Sequence, residues 1–127
     1  MIGKRDDLLT ALNKNKTRFV IMARDEYTTD VPEHSDLRPE IFWNQRARGL
    51  GATDQRPAVS CGEENLLCLP GDPYDTENIL IHEFAHALHQ MAIVSIHPDF
   101  QDRLDKCFEL ATREKIWEGT YASTNVY

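Results

Sequence analysis

The stretch that decides the fold is Ile79-Leu80-Ile81-His82-Glu83-Phe84-Ala85-His86-Ala87-Leu88-His89, an apolar run interrupted by ionisable side chains. Its apolar residues recur at the spacing of one helix face, in the series Leu80, Phe84, Ala87, Leu88 and Met91. This period predicts a helix with one face in the core, which begins after an N-cap at Asp75 or Thr76 and runs to about Ile93 or Val94.

The same run contains a His-Glu-x-x-His motif. His82 and His86 lie one helical turn apart, so both imidazoles can point at one ion about 2.0–2.1 Å from each nitrogen. Glu83 projects beside them, where it can hold a water and take its proton. The spacing predicts zinc ligands at His82 and His86 and a general base at Glu83. The alternative is a structural domain with ordinary helical residues, which predicts no stoichiometric zinc.

Catalytic zinc normally has three protein ligands and a water, so a third ligand must come from elsewhere. His89 lies about 10.5 Å along the helix axis from His82, too far to share one ion with it and His86. The extended pattern His-Glu-x-x-His-x-x-Gly-x-x-His also fails, because His89 and Ala92 occupy its glycine and final histidine positions. A following helix offers three glutamates that are either ligands or solvated charges. They are Glu109, Glu114 and Glu118.

A second motif follows in Tyr121-Ala122-Ser123-Thr124-Asn125. Together with His82-Glu83-x-x-His86 it resembles the metallopeptidase domain of anthrax lethal factor and related bacterial gluzincins, in which a Tyr-x-x-Thr-Asn-x-x-Glu segment supplies the third zinc ligand. The resemblance covers residues 75–127 and less securely residues 60–69, as the preceding edge strand. It implies that Tyr121 stabilises the reacting carbonyl and that the third ligand is a glutamate just beyond Tyr127.

The resemblance implies an α+β, zincin-like fold, in which a small sheet packs on the motif helix and a second long helix follows. Residues 1–127 would form a single domain, complete or truncated before the third ligand. The expected activity is zinc-dependent hydrolysis of peptide bonds, with a peptide or protein as substrate. The alternative function is a catalytically silent metal-binding or interaction module that keeps an incomplete zinc site.

Composition argues against several classes of partner. Fourteen Lys+Arg against 21 Asp+Glu give a formal net charge of −7, and no basic cluster indicates a nucleic-acid or anionic-membrane surface. The first residues lack the apolar region of a secretory signal, and no later run approaches the length of a bilayer span. We expect a soluble chain with no nucleic-acid partner, and its localisation stays open because a secretory leader that had been removed would leave the same sequence. The oligomeric state stays open.

The other elements are predicted from shorter patterns. A helix is expected over residues 5–13, strands over residues 17–23, 57–61 and 64–69, and a helix over residues 99–117 that ends at Gly119 and packs across the first long helix. One of the last two strands would line a substrate groove. Residues 25–39 should be irregular, with His34 exposed, and residues 44–52 should form a glycine-containing loop whose arginines either pair with a carboxylate or form a solvated turn. Cys61, Cys68 and Cys107 are expected as reduced thiols or as one disulfide with a spare.

Overall fold

Strand β3 (Ala58–Gly62) is the centre of a three-stranded sheet in the computed structural model, which describes residues 2–120. Strand β1 (Arg18–Met22) pairs with it in parallel, and strand β2 (Gly49–Leu50) pairs with it on the other side in antiparallel orientation. All five residues of β3 are buried. The predicted strands at 17–23 and 57–61 are confirmed. Since β3 has a neighbour on each side, it is not the edge strand that the sequence suggested.

The described part of the chain is mixed α+β, with several helices besides this sheet. They are α1 (Asp6–Lys14), α2 (Glu40–Arg46), α3 (Glu63–Leu66), α4 (Ile79–Leu88), α5 (Val94–Ile96) and α6 (Phe100–Arg113), with 3-10 turns at Thr28–Asp30 and Pro32–His34. The predicted helix at 5–13 is confirmed by α1. The irregular character expected of residues 25–39 is confirmed by the two short turns.

The strand predicted over residues 64–69 is wrong, because Glu63–Leu66 form helix α3. Short apolar runs do not distinguish a strand from a helix by periodicity alone. Here two acids occupy the first helical turn, where they favour a helix N-terminus. Glu64 also accepts two hydrogen bonds from Arg48, of 2.6 Å from Nε and 2.9 Å from Nη2. The pairing of a loop arginine with a carboxylate, one of the two alternatives for this segment, is confirmed.

The motif helix α4 begins later than the sequence predicts. Asn78 is its N-cap, and its side-chain Oδ1 accepts a 2.9 Å hydrogen bond from the Ile81 N–H. Asp75 and Thr76 are therefore not the cap. Beyond Leu88 the helix continues through a π-helical turn at His89–Ile93 into α5.

The continuous helical run Ile79–Ile96 has 18 residues and a mean hydropathy of 1.2, so length and composition alone make it a weak candidate for crossing a membrane. The expectation that no run approaches that length was too strict. The core helix of a soluble domain has the same properties, and this helix contributes Ala87, Met91 and Ala92 to the core. The helix is therefore compatible with the absence of a membrane span.

The core lies between α1, the sheet and the motif helix. Its buried cluster consists of Leu8, Ala11, Leu12, Ala52, Val59, Ala87, Met91 and Ala92. Leu80, Phe84 and Leu88 pack against it while remaining partly exposed. The apolar stripe predicted for the motif helix is thus confirmed as its core-facing side.

The chain divides into two compact units, Met1–Ile96 and His97–Tyr127. In the second unit, helix α6 ends at Arg113, earlier than the predicted end near Trp117. Lys115 adopts a left-handed conformation with φ of 54°, and the N–H of Ile116 donates to the carbonyl of Ala111. This is a Schellman end, which stops the helix before Gly119 is reached. The packing of this helix across the motif helix stays a prediction.

Two further expectations change. His34 is buried with 1% of its surface exposed, and its Nε2 lies 3.1 Å from Ser60 Oγ, so the expected exposure is wrong. Cys61, Cys68 and Cys107 are all free. Cys61 is buried, and this burial raises the pKa of its thiol to about 11, which makes it a poor nucleophile at neutral pH.

Candidate functional site

The two motif histidines lie against each other on one face of α4. Their ring centroids are 5.1 Å apart, and the planes are inclined at 57°. His82 Nε2 and His86 Nε2 are separated by 3.3 Å. Both residues are partly exposed, which places these nitrogens at the border between core and solvent.

This nitrogen separation fits a shared metal ion. Two nitrogens bound to tetrahedral zinc at about 2.0–2.1 Å lie roughly 3.3–3.4 Å apart. The same distance suits an N–H···N hydrogen bond, which requires that one of the two Nε2 atoms carries no hydrogen. The pair therefore provides two ligand positions of zinc-compatible geometry without rearrangement of the helix.

Glu83 lies close to the short strand β2 and to Gly51, which follows it. Gly49 and Gly51 let the β2 backbone come close to α4, because a Cβ built on Gly51 would be 3.3 Å from Glu83 Oε2 and 2.8 Å from His86 Cβ. A Cβ on Gly49 would be only 2.3 Å from Ile79 Cγ2. The backbone of residues 49–51 therefore lies close against the motif helix.

The electrostatics of the site follow from this packing. Burial raises the pKa of the Glu83 carboxyl, while the charge of His82 and a hydrogen bond from the Gly51 backbone act against the shift. Burial also lowers the pKa of His86, and the neighbouring His82 and His89 lower it further. A carboxylate that binds protons more readily suits Glu83 as a general base. An imidazole that tends to be neutral suits His86 as a metal ligand.

Two polar residues around the site were missed as functional residues by the sequence analysis. Glu77 Oε2 lies 3.2 Å from His82 Nδ1, and the buried Asn65 makes hydrogen bonds to the loop that carries Glu77. Glu77 lies five residues before His82, and this separation does not predict a side-chain contact because the backbone before the helix is not regular. Asn65 lies in a segment predicted as a strand, so no sequence signal indicated either contact.

The third ligand is not found in the described part of the chain. Within residues 2–120, no group of three or more His, Cys, Asp or Glu side chains is placed to hold a metal ion. Glu109, Glu114 and Glu118 are exposed residues of the second unit, where Glu114 pairs with Arg113 and Glu118 with Lys115. Tyr121 and the following Thr-Asn pair lie outside the described residues.

Comparisons of the chain with family models, with curated proteins and with solved structures find no match. The resemblance to the lethal-factor group of gluzincins therefore stays a prediction from two sequence motifs. The structure contributes the α+β architecture and the local geometry of the motif helix.

Proposed function

We propose that the chain carries the zinc-binding helix of a metallopeptidase that hydrolyses peptide bonds. The observation that carries the proposal is the 3.3 Å separation of His82 Nε2 and His86 Nε2, with the Glu83 carboxylate beside them. Both the distance between the two nitrogens and their chemistry as imidazole donors suit zinc. Tyr121 and a glutamate beyond Tyr127 enter the proposal through the sequence resemblance alone.

Each residue has a distinct part in this chemistry. Zinc, when bound, would polarise the scissile carbonyl and lower the pKa of the attacking water. Glu83 orients that water, takes its proton and passes it to the leaving amine, and the raised pKa of its carboxyl favours the first transfer. Tyr121 would donate a hydrogen bond to the oxygen on which negative charge develops.

The peptide would lie along β2. This strand is at one edge of the described sheet, and a Cβ built on the adjoining Gly51 would lie 2.8 Å from His86 Cβ and 3.3 Å from both Glu83 O and Glu83 Oε2. An extended peptide can add to such an edge through main-chain hydrogen bonds. The groove expected beside residues 57–61 or 64–69 is thus reassigned to residues 49–51, since the first segment is a central strand and the second begins as a helix.

The test is a pair of substitutions in the full-length protein. Glu83→Gln should abolish hydrolysis of unstructured peptides and leave zinc affinity nearly unchanged, because the base is lost while both ligands remain. Glu40→Gln is the matched control, since Glu40 is an exposed helix residue whose side chain is 59% exposed. Equal activity of the Glu83 and Glu40 variants would refute the mechanism.

The second candidate is a metal-binding or interaction module without catalysis. It is favoured by the described residues themselves, which provide two imidazoles and no group of three ligands. Two-ligand sites bind zinc weakly compared with three-ligand sites. Zinc affinity of the full-length protein distinguishes the candidates, because the tight binding typical of three ligands supports the enzyme and the weak binding typical of two ligands supports the module.

A further inference from the structure

The loop before α4 places a carboxylate on the far side of the His82 ring. Glu77 Oε2 lies 3.2 Å from His82 Nδ1, while His82 Nε2 faces His86. The His82 side chain is 32% exposed and that of Glu77 is 48% exposed. The imidazole is thus contacted at both nitrogens, by an acceptor at Nδ1 and by the second histidine at Nε2.

Asn65 holds this loop in place. Its buried Nδ2 donates hydrogen bonds to Asp72 Oδ2 at 2.8 Å, to the Tyr74 carbonyl at 3.0 Å and to the Glu77 carbonyl at 2.9 Å. Its Oδ1 accepts a 2.8 Å hydrogen bond from the Ile79 N–H. One side chain therefore joins the loop to the first residue of α4, and this fixes the backbone position from which Glu77 reaches His82.

We infer that Glu77 is a positioning residue that selects the ligating tautomer of His82, an inference that rests on the proposed zinc site. A neutral imidazole carries one N–H, and an acceptor at Nδ1 draws that hydrogen to Nδ1. The lone pair is then left on Nε2, where it points toward His86 Nε2. Such outer carboxylates fix the ring orientation of a metal-binding histidine and raise its basicity.

Charge and hydrogen-bond acceptance can be separated by two substitutions. Glu77→Gln keeps a carbonyl oxygen that can accept from Nδ1–H but removes the negative charge, whereas Glu77→Ala removes both. Asp75→Asn is the matched control, because it removes one negative charge from an exposed residue of the same loop. If Glu77 acted only through the overall charge of the loop, the Asp75 and Glu77 variants would have the same His82 tautomer and the same zinc affinity.

The first measurement is made without metal, by the ¹⁵N chemical shifts of the His82 ring in the full chain. The wild-type chain and Asp75→Asn should show the tautomer with hydrogen on Nδ1. Glu77→Ala should shift the population toward the Nε2–H form, and Glu77→Gln should restore much of the Nδ1–H form. Far-ultraviolet circular dichroism should show unchanged helix content, since Glu77 precedes α4 and is exposed.

The second measurement is zinc affinity by chelator competition. Glu77→Ala should weaken zinc binding about 10–100-fold, the range typical of lost outer carboxylates. Glu77→Gln should lose less, and Asp75→Asn should match the wild type. An unchanged His82 tautomer in Glu77→Ala, or measurable zinc binding by Glu77→Ala and Asp75→Asn with equal affinity, overturns the inference. If the tautomer responds to Glu77→Ala but no variant binds zinc, the proposed function fails and the Glu77–His82 contact is supported.

Discussion

Replacing Gly51 with alanine tests the close approach of the β2 edge to the motif helix. The added Cβ would lie 2.8 Å from His86 Cβ, against an ordinary carbon–carbon contact of about 3.5–4.0 Å. At least about 0.7 Å of movement is therefore required. His86 Cβ is bonded directly to the helix backbone, so no rotamer change relieves the clash. Either the edge or the helix must move.

The expected cost is about 1–3 kcal/mol in the free energy of unfolding, the usual range for overpacking. Gly3→Ala is the matched control, because its Cβ meets nothing within 4 Å. Both substitutions reduce the conformational entropy of the unfolded chain in a similar way, so their difference isolates the clash. With a urea dependence of about 2 kcal/mol/M, a loss of about 2 kcal/mol moves the unfolding midpoint by about 1 M.

Urea unfolding followed by circular dichroism measures that difference. A second measurement is zinc affinity, which should fall in Gly51→Ala because the displaced His86 ring no longer keeps the 3.3 Å separation from His82 Nε2. Equal midpoints for the Gly51 and Gly3 variants would show that β2 does not lie on α4 as described. The proposed position of the peptide along β2 would then be wrong as well.

Substitutions test three other features of the structure: the Arg48–Glu64 pair, the burial of His34 and the N-cap of α4. Glu64→Gln removes one partner of the buried pair with Arg48 and should lower the unfolding free energy at pH 7 by about 3 kcal/mol in urea titration. Arg48 lowers the pKa of Glu64 in the folded state, so the stabilisation from this pair is present above the ordinary carboxyl pKa and is lost as the pH falls through the lower folded pKa. Below about pH 4.5 the unfolding free energy of the wild type should therefore fall more steeply than that of the variant. Parallel curves of unfolding free energy against pH would contradict this. Burial lowers the pKa of His34 in the folded state, so the unfolded chain takes up a proton more readily and the unfolding free energy should fall below about pH 6.5. His34→Gln should make the unfolding free energy depend less on pH between about pH 7 and 5. An unchanged slope would count against the burial of His34. Asn78→Ala should cost about 1 kcal/mol through the lost N-cap, whereas Thr76→Ala should cost nothing measurable if Asn78 is the cap.

The elements that the sequence predicted are those with a local cause. In α4, the spacing of His82 and His86 places both rings on one face whatever surrounds the helix, and the apolar period selects its core side. The strands at 17–23 and 57–61 contain β-branched and aromatic residues next to turn residues, and they were predicted for that reason. The sequence predicted in part that Arg48 pairs with Glu64, because the positive charge of the loop indicated a carboxylate partner but not which residue supplies it.

The errors fall where tertiary contacts outweigh local preference. Residues 64–69 contain a short leucine-rich apolar run that does not distinguish a strand from a helix, and Glu63–Leu66 form a helix in which Glu64 contacts Arg48. His34 has no local apolar pattern, and its burial against Ser60 follows from the path of the chain over β3. The two-residue strand β2 is too short to show any alternation, so its pairing was invisible to sequence reasoning.

By itself the sequence determined that His82 and His86 share one helical face with Glu83 beside it, because residues four apart differ by only about 40° around a helix of 3.6 residues per turn. Only the tertiary structure decided what stands around that face. It placed β2 beside Glu83, Glu77 on the Nδ1 side of His82, and Asn65 beneath the loop between them. The contacts of β2 and Asn65 join residues distant in the chain, and the Glu77–His82 contact spans a helix start, so no regular spacing in the sequence encodes them. They depend on which surfaces exclude water and which polar atoms find partners when the core forms.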